Sequence, residues 1–329
     1  MLTLKTRKLK KMFIPYLNKI IKNKDYFFYG NSNSSTKYDS LIYCPHPFTN
    51  WSLNPNFKIG TELQHTSEGF RRVDNDLSIR NNWFQNKFSI YTLGGSTTYC
   101  TELKSYKESW PSILNNNPKL VVRNGGVGGW GSLQNFIRFS SWGPILKPKL
   151  TIVYLSKNDL TPFYNAREEE NEIMPFYENI MLQFSSKINS VARNRNLSSI
   201  YSMKNNLFSR LFPIKNKTTS NGLDRFTIEH KKTTKIRFQL ITDLTKNWGG
   251  SVLFVPEIIK KDSIYFNKMN EIHEIMKDVA NSKKNADFFD IRNVLDYREE
   301  YFLDKMHLNA TGCDLFAKLI GNYIKSNYA

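Results

Sequence analysis

The chain has 329 residues, of which 40% are hydrophobic and 14% aromatic. This composition excludes a disordered protein and is sufficient for one large domain or two ordinary ones. Its 47 basic and 29 acidic residues give a net charge of +18. Such a charge favours attraction to anionic lipid, acidic polysaccharide or nucleic acid, although a compositional drift toward lysine and asparagine explains it equally well.

The sequence limits the partners and the compartment further. It contains no RNA-binding signature and no zinc-finger or other metal-ligand spacing, so we expect no specific nucleic acid, no metal and no cofactor. Its cysteines Cys44, Cys100 and Cys313 are widely spaced and odd in number, and they form neither a CxxC pair nor a disulfide framework, which is typical of a reducing compartment. The basic N-terminus lacks an apolar run long enough for a signal peptide. We therefore expect a cytoplasmic protein whose basic N-terminus can contact an anionic membrane surface.

Residues 1–84 are aromatic, rich in asparagine and punctuated by proline, and they show little periodicity. We interpret them as an extension packed on a main domain of residues 85–329. Within this extension, Arg71 and Arg72 could reach a binding site and hold an anionic ligand, but a surface position is the favoured expectation. A second irregular region, at about residues 165–225, is predicted to be a helical insertion in the main domain.

Short apolar runs alternate with helical segments in the main domain. The predicted strands are Phe88–Leu93, Leu120–Arg123, Leu150–Leu155, Ser251–Val255 and Ala286–Ile291. The predicted helices are Ser109–Asn116, Ser132–Leu146, Ile228–Trp248, Phe266–Ser282 and a last helix from about Ala310 that is capped by Asn309. This alternation predicts an α/β fold with a doubly wound parallel sheet, in which ligands bind outside the carboxyl ends of the strands.

Polar segments follow the predicted strands at that edge of the sheet. The first strand continues into GGSTT, the second into NGGVGG and the third into SKND, and the loop before the last helix contains DKMH. Together these segments supply a hydroxyl, flexible backbone amides, a carboxamide and an acid–imidazole pair.

These groups are the ones that acyl transfer requires. The Ser96 hydroxyl is a poor nucleophile without an adjacent base, and His307 can act as that base if Asp304 holds its other ring nitrogen. The oxyanion of the tetrahedral intermediate needs fixed donors, which the amides of Ser96 and Gly129 and the side chain of Asn158 can provide.

At these residues the sequence resembles the SGNH, or GDSL-like, hydrolase superfamily, in its bacterial esterase type. That family has four blocks in the order Ser, Gly, Asn and Asp-x-x-His, and the resemblance covers roughly residues 85–160 and 285–326. It implies a flavodoxin-like α/β/α domain with Ser96 as nucleophile. It also implies that Gly129 and Asn158 are oxyanion partners and that Asp304 and His307 complete a catalytic triad.

The chain departs from the family pattern in two places. Gly95 stands where an aspartate is usual, and Ser156 stands where a glycine usually precedes the asparagine by two residues. The side chains of Ser156 and Lys157 are therefore expected to alter the shape of the oxyanion pocket. His273 falls on a predicted helix and is expected to be solvated.

The resulting prediction is a serine esterase that removes a small acyl group, with acetyl the first choice, from a carbohydrate or a related small-molecule or glycan substrate. Two alternatives stay open at this point. The same residues can transfer the acyl group to a sugar hydroxyl, which would make the protein an O-acyltransferase. A basic, non-catalytic protein that binds acidic glycan or membrane is the other alternative.

Overall fold

The computed structural model describes residues 42–46, 48–55, 57–74, 83, 87–160, 226–295 and 298–328. The predicted insertion at about 165–225 lies outside these residues, as do residues 1–41 of the predicted extension. None of the helices in the described ranges combines the length and the apolar character that a membrane span requires.

Before the main domain, the described chain forms two small antiparallel sheets. Their strands are β1 (Tyr43–His46), β2 (Asn50–Leu53), β3 (Lys58–Ile59) and β4 (Leu63–Gln64), and β1 pairs with β2 and β3 with β4. The sequence gives no periodic signal here because these strands have only two to four residues.

A five-stranded sheet forms the centre of the described main domain. Its strands are β5 (Phe88–Gly94), β6 (Leu120–Asn124), β7 (Leu150–Tyr154), β8 (Ser251–Val255) and β9 (Ala286–Phe288). They are all parallel and lie in the order β6-β5-β7-β8-β9. This is the order 2-1-3-4-5 of a flavodoxin-like doubly wound sheet, and it confirms the predicted fold class.

Helices cover the two faces of this sheet. They are α1 (Ser96–Tyr99), α2 (Trp110–Asn115), α3 (Ser132–Leu146), α4 (Ile228–Lys246), α5 (Phe266–Ser282) and α6 (Ala310–Asn327). Asn309 caps α6 as predicted, since its side chain accepts a hydrogen bond of 2.9 Å from the Gly312 amide.

The two faces of β5 build two separate hydrophobic cores. Ile90 belongs to one core with Trp110 of α2 and Phe316 of α6. The neighbouring residue Tyr91 belongs to the other, where its ring stacks on Phe139 of α3. Because both faces are covered, the strands read as nearly continuous apolar runs in the sequence.

The last predicted strand is shorter than the sequence pattern indicates. β9 ends at Phe288, and Asp290 then accepts a hydrogen bond from the Arg292 amide at 3.2 Å. This contact begins a short 3₁₀ helix at Ile291–Asn293. An apolar pattern alone does not reveal such a cap.

The described part of the N-terminal segment contacts the loop that follows β6. Trp51 donates from its indole nitrogen to the Gly128 carbonyl at 3.0 Å, and Trp130 donates to the Trp51 carbonyl at 3.2 Å. These two indole hydrogen bonds tie β2 to the glycine-rich loop.

The surface position predicted for Arg71 and Arg72 is wrong. Arg71 is only 1% exposed, and its guanidinium donates to the carbonyl oxygens of Cys100 and Leu103 at 2.9 and 3.1 Å. Arg72 is also buried and donates to Gln64 at 3.2 Å. A guanidinium can be buried where carbonyl oxygens face its several N–H donors, an arrangement that the sequence does not reveal.

Candidate active site

The turn after β5 carries Ser96 at the carboxyl edge of the sheet. β5 ends at Gly94 and Ser96 begins the single-turn helix α1. The Ser96 hydroxyl oxygen lies 2.8 Å from Nε2 of His307, which belongs to the loop just before α6. The fold therefore brings together a hydroxyl and an imidazole that are 211 residues apart in sequence.

Asp304 holds the imidazole of His307 from the other side. Its Oδ2 lies 2.6 Å from Nδ1 of His307, and its Oδ1 accepts from the backbone amides of Met306 and His307 at 2.8 and 2.7 Å. A carboxylate oxygen accepts hydrogen bonds, so Nδ1 carries the ring proton and Nε2 presents its lone pair to Ser96.

The electrostatics of this pair follow from its position near the surface. The Asp304 side chain is 50% exposed and that of His307 is 16% exposed. Partial burial opposes ionisation of Asp304, but the hydrogen bonds from His307 and Met306 outweigh it and hold the pKa of Asp304 below its usual value. The carboxylate is therefore available to orient the ring at neutral pH.

The Asn158 carboxamide packs directly against the turn of Ser96. A β-carbon placed on Gly95 would lie 2.3 Å from Nδ2 of Asn158, which is closer than any real contact. Nδ2 also donates to the Trp130 carbonyl at 3.1 Å. The absence of a side chain at Gly95 is thus what lets this amide reach the backbone next to Ser96. One of its two N–H groups is fixed by Trp130, which leaves the other as a donor.

Gly129 precedes Trp130 in the glycine-rich loop and has a φ of +81°. This left-handed conformation is one that residues with a side chain rarely adopt. Gly129 therefore lies in the same loop as the carbonyl that holds Asn158.

The departure at Ser156 does not change the pocket in the expected way. Ser156 is fully buried, and its hydroxyl lies 3.0 Å from Nε2 of His273 and 3.2 Å from a carboxylate oxygen of Glu257. Its side chain is therefore directed into the protein interior and not toward Ser96.

One residue of this region, Glu257, was missed in the sequence, and the prediction for another, His273, was wrong. Glu257 is 2% exposed and follows β8 by two residues, so the rule that singled out the ends of the other strands points to it as well. His273 was predicted to be solvated, but its side chain is buried. It lies on the apolar face of α5, which its flanking residues Ile272 and Met276 indicate.

No metal-binding group of three or more His, Cys, Asp or Glu side chains exists within the described ranges. Among known proteins, no family model and no curated protein matches the chain.

Solved structures of lipases, esterases and acylhydrolases are similar to the chain. A lipase/acylhydrolase from Enterococcus faecalis aligns at 13% identity and a TM-score of 0.44, over 72% of this chain and 95% of its own. An acetyl xylan esterase aligns at 12% identity and 0.44, over 72% and 99%. A GDSL-like lipase from Bacteroides thetaiotaomicron aligns at 13% identity and 0.42, over 73% and 88%. Similarity at this level assigns neither a family nor an activity, so the chemistry has to be inferred from the atoms of the site itself.

Proposed function

We propose that the protein is a serine esterase of the SGNH type. The observation that supports the proposal is the chain of contacts from Ser96 Oγ to His307 Nε2 at 2.8 Å and from His307 Nδ1 to Asp304 at 2.6 Å. Both distances are within hydrogen-bonding range, which is the geometry that a serine and its general base require.

In the proposed mechanism, Ser96 Oγ attacks the ester carbonyl carbon while His307 Nε2 accepts the hydroxyl proton. Asp304 keeps the proton-bearing Nδ1 in place and stabilises the imidazolium that forms. When the tetrahedral intermediate collapses, His307 returns the proton to the leaving alcohol. Water then attacks the acyl-enzyme with the same base, which releases the acid and restores Ser96.

We assign three hydrogen-bond donors to the oxyanion of the tetrahedral intermediate. These are the backbone amides of Ser96 and Gly129 and the second N–H of the Asn158 carboxamide. The position of Asn158 beside Gly95 supports its part in this assignment. Removal of one donor of this kind costs about 10²- to 10³-fold in kcat.

For the substrate, we propose a small acyl ester, with acetyl as the acyl group, on a carbohydrate. The net charge of +18 supports a carbohydrate that is part of an acidic polymer.

The test is hydrolysis of p-nitrophenyl acetate by the wild-type protein and by Ser96→Ala and His307→Ala. We expect each substitution to lower kcat by at least about 10³-fold, because the nucleophile and base act as a unit. Ser140→Ala and His230→Ala are the matched controls, since the Ser140 hydroxyl donates to the Ile137 carbonyl within α3 and the His230 ring contacts Thr227 at the start of α4. A serine-reactive fluorophosphonate should label Ser96 in the wild type.

Equal activity of wild type and Ser96→Ala would remove this residue from the mechanism and overturn the proposal. With acetylated oligosaccharides as substrates, release of acetate supports hydrolysis. Transfer of the acetyl group to an added acceptor glycan in place of water would replace the hydrolase assignment with an acyltransferase.

A further inference from the structure

A buried carboxylate lies between the two turns that carry Ser96 and Asn158. Glu257 is only 2% exposed. Its Oε1 accepts from the Thr97 hydroxyl at 2.6 Å, and its Oε2 accepts from the backbone amides of Ser156 and Lys157 at 2.9 and 2.8 Å. Donors that face both oxygens are the environment in which an ionised carboxylate is stable inside a protein.

The positions of these partners connect Glu257 to the proposed chemistry. Thr97 is the residue after Ser96, and Lys157 is the residue before Asn158. One carboxylate therefore binds a direct neighbour of the nucleophile and a direct neighbour of an oxyanion donor. The Asn158 amide lies so close to Gly95 that a β-carbon would not fit there. The two turns are therefore in direct contact, and a small displacement of either one changes the distance between Ser96 and the Asn158 amide.

A second set of contacts fixes the orientation of Glu257 from behind. Arg292 donates from Nη1 to Nδ1 of His273 at 2.9 Å. Since a guanidinium only donates, the proton of this imidazole is on Nε2, which then donates to the Ser156 hydroxyl at 3.0 Å. The Ser156 hydroxyl keeps its own hydrogen for Glu257 Oε2 at 3.2 Å. All hydrogen bonds of this row therefore run in one direction and end at Glu257.

The outer end of the row is anchored as well. Arg292 makes a bidentate ion pair with Asp290, with both N–O distances at 2.7 Å. This geometry holds the guanidinium rigidly in its plane. Ser156 stands where a glycine is usual. Its hydroxyl connects the Arg292–Asp290 ion pair, through His273, to Glu257.

We propose that Glu257 is a positioning residue for ester cleavage, which holds the Asn158 amide and the Ser96 turn at the separation that oxyanion stabilisation requires. The inference rests on the proposed function of Ser96, His307 and Asp304. Displacement of a catalytic group by about 1 Å can cost about 10²-fold in rate. An oxyanion donor acts in the transition state more than in the ground state, so its displacement lowers kcat and leaves KM nearly unchanged.

The test compares Glu257→Gln, Thr97→Val and the wild type in steady-state hydrolysis of p-nitrophenyl acetate. The carboxamide introduced by Glu257→Gln would present an NH₂ group to a donor, so we expect kcat to fall about 10²-fold with little change in KM. Thr97→Val removes a single hydrogen bond and should lower kcat about tenfold, which in free energy is the cost typical of one hydrogen bond. Glu257→Asp retains the charge with a shorter reach and should recover part of the loss.

Thr98→Val is the matched control for Thr97→Val. Thr98 is the next residue of α1, is also buried, and donates to the Tyr154 carbonyl at 3.1 Å instead of to Glu257. We expect both valine variants to lower Tm to a similar extent and only Thr97→Val to lower kcat. A reduced rate of inactivation of Thr97→Val by a p-nitrophenyl phosphonate, whose attack also develops an oxyanion, would support the inference independently.

The outcomes separate this inference from the proposed function. If hydrolysis does not depend on Ser96, the proposed function fails. If hydrolysis depends on Ser96 but folded Glu257→Gln retains wild-type kcat, only the positioning role of Glu257 is overturned. If Glu257→Gln does not fold, Thr97→Val decides, and an unchanged kcat in that variant overturns the role.

Discussion

Two carboxylates flank the turn that carries Ser96, and they differ in environment. Asp304 is half exposed and contacts the imidazole of His307, whereas Glu257 is almost fully buried and contacts two hydroxyls and two backbone amides. In the proposed mechanism the partner of Asp304 changes its charge during each cycle, while the partners of Glu257 stay neutral. The comparison supports two different roles. Asp304 stabilises the charge that forms on His307, and Glu257 maintains the distance between the Ser96 turn and the Asn158 amide.

Burial explains why the second carboxylate needs so many partners. An ion removed from water costs several kcal/mol unless hydrogen bonds replace its hydration, and loss of one partner leaves the rest of that cost in place. Water can substitute for a lost partner at Asp304 but not at Glu257. The two residues should therefore respond differently to substitution.

The largest effect on this comparison is expected for Asp304→Asn. An amide opposite Nδ1 favours the wrong tautomer, because Asn presents its NH₂ group and forces the ring proton onto Nε2, where it blocks proton transfer from Ser96. We expect kcat for p-nitrophenyl acetate to fall about 10³- to 10⁴-fold. Stability should change little, since the side chain is half exposed. Stopped-flow kinetics and thermal unfolding measure the two quantities.

A loss of less than about tenfold in Asp304→Asn would contradict an orienting role for this carboxylate. The exposed Asp262→Asn is a suitable control. The Asp262 carboxylate forms an ion pair with the Lys305 side chain and not with His307 or Ser96. Its kcat should equal that of the wild type.

The next effect is expected for Gly95→Ala, which acts between the two carboxylates. The added methyl group would occupy the place of the Asn158 amide, and that flexible side chain is expected to move while the backbone stays in place. We expect kcat to fall about 10²-fold, as for the loss of an oxyanion donor. Tm should change by only a few degrees.

Gly321→Ala provides the matched control. Gly321 lies in the interior of α6, and a β-carbon there would meet Leu114 at an ordinary 3.5 Å. This variant should keep wild-type kcat and gain about 0.5 to 1 kcal/mol in free energy of unfolding. Wild-type kcat in Gly95→Ala would show that the position of Asn158 does not matter for the reaction.

These positions also show what could be predicted from the sequence. The strands, most helix limits and the meeting of Ser96 with His307 follow from apolar runs and from the rule that ligands bind at strand ends. The same rule applies to Glu257, which follows β8 in the same way. Its role could not be assigned, because its partners Thr97 and Lys157 are 160 and 100 residues away. Burial of Arg71 was missed for a similar reason, since its acceptors are backbone carbonyls, which no side chain in the sequence reports.

The smallest expected effect is on the pH dependence of the free energy of unfolding. It distinguishes the region around the buried Glu257 from the region around the half-exposed Asp304. Burial and the nearby charge of Arg292 lower the pKa of His273 to about 3, although the Asp290 carboxylate opposes this shift. The unfolded chain, with a histidine pKa near 6.5, binds the proton first, so stability falls as pH drops below about 6.5. Between pH 7 and pH 5 this costs about 2 kcal/mol for His273.

The lowered pKa of Asp304 acts in a different pH range. Its contribution to stability is present above the unfolded pKa of about 3.9 and is lost as pH falls through the lower folded value, so it leaves the interval from pH 7 to 5 unchanged. His65, whose pKa burial also lowers to about 3, contributes a similar cost of its own. Urea unfolding at pH 7 and pH 5 should therefore show a pH dependence that decreases by about 2 kcal/mol in His273→Gln. The same measurement on the non-titrating control Ser140→Ala should give the wild-type dependence. An unchanged dependence in His273→Gln would mean that the ring is not held neutral in the buried row that ends at Glu257.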